Sequence, residues 1–121
     1  MRVLVCGDRN WNDDDAIRRE LNRVLADYVG ESVIVIEGEA RGADSIGRVV
    51  AEDLGIDVKK FPADWEKYGN AAGPIRNQQM LDEGKPTYVL AFHNDITHSK
   101  GTADMVLRAR KAGIPVKVVK V

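Results

Sequence analysis

Val33-Ile34-Val35-Ile36-Glu37-Gly38-Glu39-Ala40-Arg41-Gly42-Ala43-Asp44 is the stretch on which the fold turns. Its first four residues form an unbroken β-branched run. Such runs suit a strand buried on both faces, as in a parallel sheet. Gly38 closes the run, a short polar loop follows, and a helical stripe begins: Ala43, Ile46, Gly47, Val50, Ala51 and Leu54, stopped by Gly55. Strand, glycine loop and helix make the front half of a βαβ unit.

The same unit recurs on either side. Val3 to Cys6 is an apolar run closed by Gly7, and Ile17, Leu21, Val24, Leu25 and Tyr28 recur at helical spacing after Asp13-Asp14-Asp15. Acidic residues there complement the positive end of a helix, and Gly30 follows as a stop. Val58 to Phe61 is a weaker third run. Pro74 stands where a first helical residue belongs, and Ile75, Gln78, Gln79 and Leu81 carry that helix to Gly84. Tyr88 to Phe92 is the fourth run. Ala103, Val106, Leu107 and Ala109 make the last helix, ended by Gly113 and Pro115 before Val116 to Val119. This alternation predicts a Rossmann-like α/β domain: a doubly wound parallel sheet of five strands, order 3-2-1-4-5, with helices on both faces.

The chain has 121 residues, the length of one domain spanning 1–121. The hydrophobic fraction of 44% excludes a mainly disordered chain. Eighteen basic and 19 acidic residues give a net charge of −1, without the basic excess of a protein built to grip a DNA backbone. One cysteine, Cys6, allows no internal disulfide or cysteine-cluster metal site, and a reduced, cytoplasmic setting is expected. No segment approaches the ~18 apolar residues of a membrane span, and the N-terminus reads as a first strand rather than a signal peptide.

Ligands of such folds sit beyond the carboxyl ends of the strands. Nearly all the glycines, arginines and short polar residues outside the helices fall at that edge: Gly7-Asp8-Arg9-Asn10-Trp11, Glu37 to Asp44, Asp64-Trp65 with Ala72 to Asn77, and His93-Asn94-Asp95 with Ser99 to Thr102. Glycine lets backbone N–H groups approach an anion, and a helix N-terminus favours one. Arg76, placed in a first helical turn, opposes the helix dipole, a conflict that a bound phosphate or carboxylate removes; the alternative is an ion pair with an acid such as Asp64. Asp44 reads equally as a helix cap. Trp11 and Trp65 are candidates for stacking a base, with ordinary packing as the alternative. His93 and His98 fit no metal-ligand spacing, and neither a metal nor a cofactor is expected. The glycines match neither the G-x-G-x-x-G fingerprint nor a phosphate loop of the G-x-x-x-x-G-K-[ST] kind.

Val5-Cys6-Gly7-Asp8-Arg9, Gly38-Glu39-Ala40-Arg41-Gly42-Ala43-Asp44, Ala72-Gly73-Pro74-Ile75-Arg76-Asn77 with Met80, and Lys100-Gly101-Thr102-Ala103-Asp104-Met105 together resemble the SLOG superfamily, most nearly its small single-domain YspA, YpsA-related branch. The resemblance covers essentially the whole chain in order. It implies a domain that binds a nucleotide or nucleotide-derived ligand, as a sensor or binding module, through Gly7, Asp8, Arg9, Gly38, Arg41, Gly42, Asp44, Arg76, Asn77, Gly101 and Thr102. The alternative it implies is a LOG-like phosphoribohydrolase that releases a base from a nucleoside monophosphate. Gly101-Thr102 match that group's loop, but His98-Ser99-Lys100 precede them, Asn77 replaces a lysine, and the acid is Asp104, one position earlier than the group's glutamate. Its oxocarbenium-like transition state needs a carboxylate, for which Asp104 and Glu39 are the candidates, with Asp44 behind them. DprA-type proteins share a stretch similar to Gly38–Asp44 and bind single-stranded DNA; the neutral net charge ranks nucleic acid below a small ligand. A homodimer or larger symmetric assembly is expected, with the first and last helices as candidate contacts.

Overall fold

The computed structural model describes all 121 residues. Five strands, β1 (Arg2–Gly7), β2 (Ile34–Glu37), β3 (Asp57–Lys60), β4 (Tyr88–Phe92) and β5 (Val116–Val119), form one sheet in the order β3-β2-β1-β4-β5. Every neighbouring pair is parallel, with Leu4 opposite both Ile36 and Val89. Side chains alternate across a strand, so β1 sends Val3 and Val5 to one face and Leu4 and Cys6 to the other. Helices α1 (Asp14–Asp27) and α2 (Ala43–Asp53) cover the first face through Ile17, Leu21, Val24, Val50 and Ala51. Helices α4 (Ala72–Gln79) and α5 (Gly101–Lys111) lie on the second, where Met80, Leu81, Met105, Val106 and Ala109 join Leu4, Ile36, Val89 and Ala91. A short helix, α3 (Trp65–Tyr68), leads into α4.

The local signals act as the residue chemistry dictates. Asp13 caps α1, its carboxylate accepting the Ala16 N–H at 3.1 Å. Gly30, Gly55 and Gly113 take positive φ just past the ends of α1, α2 and α5. The edge strand β3 carries Lys59 and Lys60 exposed, which blunts it against further pairing.

Two expectations change. Pro74 is the third residue of α4, not the first, because a 3-10 turn at Gly69–Ala71 starts the coil early. Proline is tolerated there since first-turn N–H groups have no intrahelical acceptor. The helix reaches Gly84, as its pattern predicts, but through a π-helical turn over Met80–Gly84. In addition, Leu21 and Val24 of α1 are buried in this chain's own core, at 0% and 5% exposure, so of the first helix's apolar stripe only the partly buried Leu25 and the exposed Tyr28 are left for an intersubunit contact. On the outer surface of α5, Leu107 is exposed.

Candidate functional site

The loops after β1, β2 and β4 and the faces of α4 and α5 meet around a cavity of about 460 Å³ at the carboxyl edge of the sheet. It lies between β1 and β4, where the strand order reverses. Of the residues singled out in the sequence, Gly7, Asp8, Arg9, Arg41, Asp44, Arg76, Asn77, Gly101 and Thr102 line it. Gly38 and Glu39 line an adjoining cleft of about 380 Å³ that shares Arg9, Ala40, Arg41 and Arg76 with the cavity.

The loops are tied to one another by backbone. Asp8 N–H donates to Phe92 O (2.9 Å), and Ala43 N–H donates to Asp8 O (3.1 Å). Gly42 makes the second tie: it has φ +78°, and a Cβ there would stand 2.2 Å from Asp8 O. It lines neither cavity nor cleft and acts by letting the two loops touch.

Arg76 is not where the dipole argument put it. It is the fifth residue of α4 and carries no conflict with the helix N-terminus. Its guanidinium runs under the Glu37–Ala40 loop, with Nη1 donating to Gly38 O (2.5 Å) and Nε to Asn77 Oδ1 (3.2 Å). Gly38 is the residue that fits above it: an added Cβ would lie 2.5 Å from Arg76 Nη1. Asp64 has a different task, capping α3 through the Lys67 N–H. Desolvation lowers the Arg76 pKa and the nearby Asp44 charge raises it, so the net shift is down.

Asp44 is not a cap of its own helix. Its Oδ2 accepts the Gly38 N–H (3.1 Å) and the Ala40 N–H (3.4 Å), pinning the loop ahead of α2. Burial pushes its pKa up to about 6, against the opposing pull of Arg76. Asn77, also buried, donates to Gly101 O (3.3 Å) and to Asp104 Oδ2 (3.0 Å), so it joins α4 to the start of α5. The structure does not bring Asp104 to the cavity. Its carboxylate is taken by Asn77 and by Arg108 Nε (2.8 Å), in a shallow groove between α4 and α5. Glu39 is exposed, with φ +57°, at the mouth of the adjoining cleft.

Other lining residues stand in the stretches that the sequence places at this edge but carry no assigned role there. His93 follows β4 directly. Its Nδ1 accepts the Asp95 N–H (2.9 Å), which leaves the Nε2 proton of the neutral ring facing Asp8 Oδ2 at 3.9 Å. Lys100, Ser99 and Asn10 complete the wall, and Ser99 Oγ accepts the Thr102 N–H (3.0 Å) at the start of α5. Cys6 forms part of the floor, its thiol pushed up by burial and secondarily by Asp44. The available signal was position: His93 and Asn10 follow β4 and β1, and Ser99 and Lys100 directly precede α5. No three His, Cys, Asp or Glu side chains converge on a point. The cavity wall carries four cationic side chains, Arg9, Arg41, Arg76 and Lys100, against two carboxylates, Asp8 and Asp44. Arg9, Arg41 and Lys100 have no ion-pair partner. Its chemistry therefore suits an anion.

Glu37, the last residue of β2, is fully buried beneath this loop. Its Oε2 accepts the Glu39 N–H (2.6 Å), while Oε1 has no partner. Desolvation, aided by the Asp44 charge, lifts its pKa from 4.5 to about 7 despite the Glu39 N–H. A carboxyl raised in the folded state stabilises fully below its unfolded pKa, and that contribution is lost as pH rises through the folded value. For Glu37 and Asp44 the loss runs from near pH 4 to about pH 7. Urea unfolding is expected to show lower stability at pH 8 than at pH 5, by on the order of 2 kcal/mol after allowance for solvent screening. Glu37→Gln is expected to flatten that profile; an unchanged slope would remove Glu37 as its source.

The family model described as the YspA, cpYpsA-related SLOG family matches residues 1–68, which carry β1, β2 and their loops. The Gene 61 protein of Mycobacterium phage D29 is 38% identical over 124 residues, spanning 95% of this chain and 93% of its own. Among solved structures, DNA processing protein A (DprA) from Streptococcus pneumoniae superposes with a TM-score of 0.72 at 14% identity. That match covers 97% of this chain and 49% of DprA, so the chain spans about half the length of that protein, and the likeness is one of fold. No helix here is long and apolar enough to cross a membrane. With a family model over more than half its length and a near full-length relative, the chain belongs to the YspA, cpYpsA-related SLOG family.

Proposed function

We propose that the chain is a binding module for a nucleotide or nucleotide-derived ligand, with the anionic part of that ligand in the cavity between β1 and β4. The observation that carries the reading is the excess of unpaired cations, Arg9, Arg41 and Lys100, around the glycine-opened start of α5. In this reading Gly101 offers its backbone N–H, Ser99 holds the Thr102 N–H and so shapes the start of α5, Arg76 and Asp44 hold the loop of residues 37–41 in shape, and Asn77 sets the distance between α4 and α5. Binding without turnover is favoured over N-glycosidic hydrolysis because Asp104 is engaged outside the cavity, Glu39 is exposed at the adjoining cleft, and Asp44 is held by the Gly38 and Ala40 N–H groups.

Thermal unfolding in the presence of nucleoside mono-, di- and triphosphates tests this. A ligand at about 100 times its Kd stabilises by ~2.7 kcal/mol, which raises Tm by several degrees for a domain of this size. Inorganic pyrophosphate is expected to compete. Tight binding of single-stranded oligonucleotide that falls steeply with salt, with no response to any mononucleotide, would replace this reading by nucleic-acid binding. We also propose symmetric pairing through α5, where Leu107 is exposed; sedimentation showing a 13.4 kDa species at micromolar concentration would contradict it.

A further inference from the structure

The two tryptophans have opposite fates. Trp11 is buried in the core at 6% exposure, its ring 5.6 Å from Phe92 and its Nε1–H donating to Asp13 O (2.8 Å). Trp65 is 49% exposed, belongs to neither core cluster, and its indole N–H has no acceptor within the chain. Tryptophan is highly buried on average, so an indole this open, with its N–H free, is out of place on a surface without a task.

Its position defines that task. Trp65 opens α3, just beyond the end of β3, and forms the outer wall of the cleft that adjoins the cation-lined cavity. The ring edge lies beside Gly73, where a Cβ would be in ordinary van der Waals contact, 3.5 Å from Cη2. Arg9 stands over the ring with its guanidinium carbon 5.8 Å from the centroid, beyond a close stack. Pro62 and Ala63 give the rest of that wall an apolar character, and Glu39 is the carboxylate at the mouth. The cleft therefore offers one flat aromatic face, an apolar border and a hydrogen-bond acceptor, while Arg9, Arg41 and Arg76 separate it from the anion cavity and reach both.

We propose that this cleft is the base subsite: the nucleobase of the ligand stacks on Trp65, its phosphates lie in the neighbouring cavity, and Arg9 bridges the two. This inference rests on the nucleotide-binding reading and deepens it by assigning the base a location. Stacking is tolerant of base identity but grows with ring area, so the subsite takes nucleotides as a class and holds purines more tightly than pyrimidines. Arg9 moves little to serve both parts, since its cation lies over the ring already and has no competing carboxylate.

Fluorescence separates the subsite from the anion cavity, because Trp11 is buried and iodide reaches Trp65 alone. Titration of the intact protein with ADP, GDP, CDP, UDP and inorganic pyrophosphate is expected to give binding by all five. Only the nucleotides are expected to shield Trp65 from iodide, and the purine nucleotides are expected to bind more tightly. Trp65→Ala is expected to weaken ADP by roughly 10- to 100-fold while pyrophosphate still binds the variant with its original affinity, which also reports that the variant is folded. Trp65→Phe is expected to restore most of the ADP affinity. If ADP binds no better than pyrophosphate and leaves Trp65 open to iodide, the subsite assignment is wrong and the anion cavity stands. If neither pyrophosphate nor any nucleotide binds, the nucleotide reading fails and the subsite fails with it.

Discussion

Alanine at Gly42 is expected to lower the unfolding free energy by about 3 kcal/mol and to abolish ligand binding. The added Cβ would meet Asp8 O at 2.2 Å and Arg9 C and O at 2.5 Å, all backbone atoms that no rotamer change can move aside. The residue also sits at φ +78°, ψ −127°, a region that side-chain-bearing residues enter at a cost of ~1–3 kcal/mol. Overpacking adds a similar amount. The loop after β1 must then lift away from α2, breaking the Ala43 N–H to Asp8 O bond and displacing Asp8 and Arg9 from the cavity wall. Gly113→Ala is the matched control: its φ is +76°, but a Cβ there meets nothing within 4 Å. It is expected to cost only the backbone strain and to leave binding intact. Urea titration of both variants checks the pair, and equal losses would show that the contact between the loops contributes nothing.

Arg76→Ala is expected to destabilise by about 2–3 kcal/mol and to weaken anion binding by at least tenfold. The charge-assisted bond from Nη1 to Gly38 O is worth ~1.5–3 kcal/mol when buried. Its loss leaves Asp44 without the main charge that offsets its burial. Arg76→Lys keeps the charge but not the planar fork that reaches Gly38 O and Asn77 Oδ1 together. It is expected to recover part of the stability and little of the affinity. A neutral or stabilising effect of Arg76→Ala on the empty protein would revive the dipole conflict that the sequence suggested and would contradict the buried geometry.

The strands were legible because parallel sheets buried on both faces demand continuous apolar runs, and Val3–Cys6, Val33–Ile36 and Tyr88–Phe92 are such runs. The location of the site followed from topology alone, since the ends of parallel strands share one edge. What failed was register and direction. Pro74 signals a helix start only to within the first turn, and the two-residue difference removes the dipole conflict at Arg76, which lines the cavity and also braces the loop of residues 37–41. Asp104 was read through its motif position. Its true partners, Asn77 on α4 and Arg108 one turn along α5, include a contact across two helices that no local spacing encodes. Trp11 and Trp65 look alike in sequence, both in polar loops after strands. Only the fold shows that Phe92 waits behind the first and open cleft before the second. Glu37 closes an apolar run and is the strand end that its position suggests, but nothing local in the sequence shows that it is the least exposed ionisable side chain in the molecule.

The central claim is that the cavity between β1 and β4 binds the anionic part of a nucleotide. Backbone amide NMR of the uniformly ¹⁵N-labelled protein, titrated with ADP, tests it most directly because it reports binding and place together. The account predicts saturable shifts concentrated at Gly7 to Asn10, Ala40, Arg41, Gly101 and Thr102, with Val29 and Gly113 at the far edge unmoved. No shift up to millimolar ADP, or shifts centred on the opposite edge of the sheet, would contradict it.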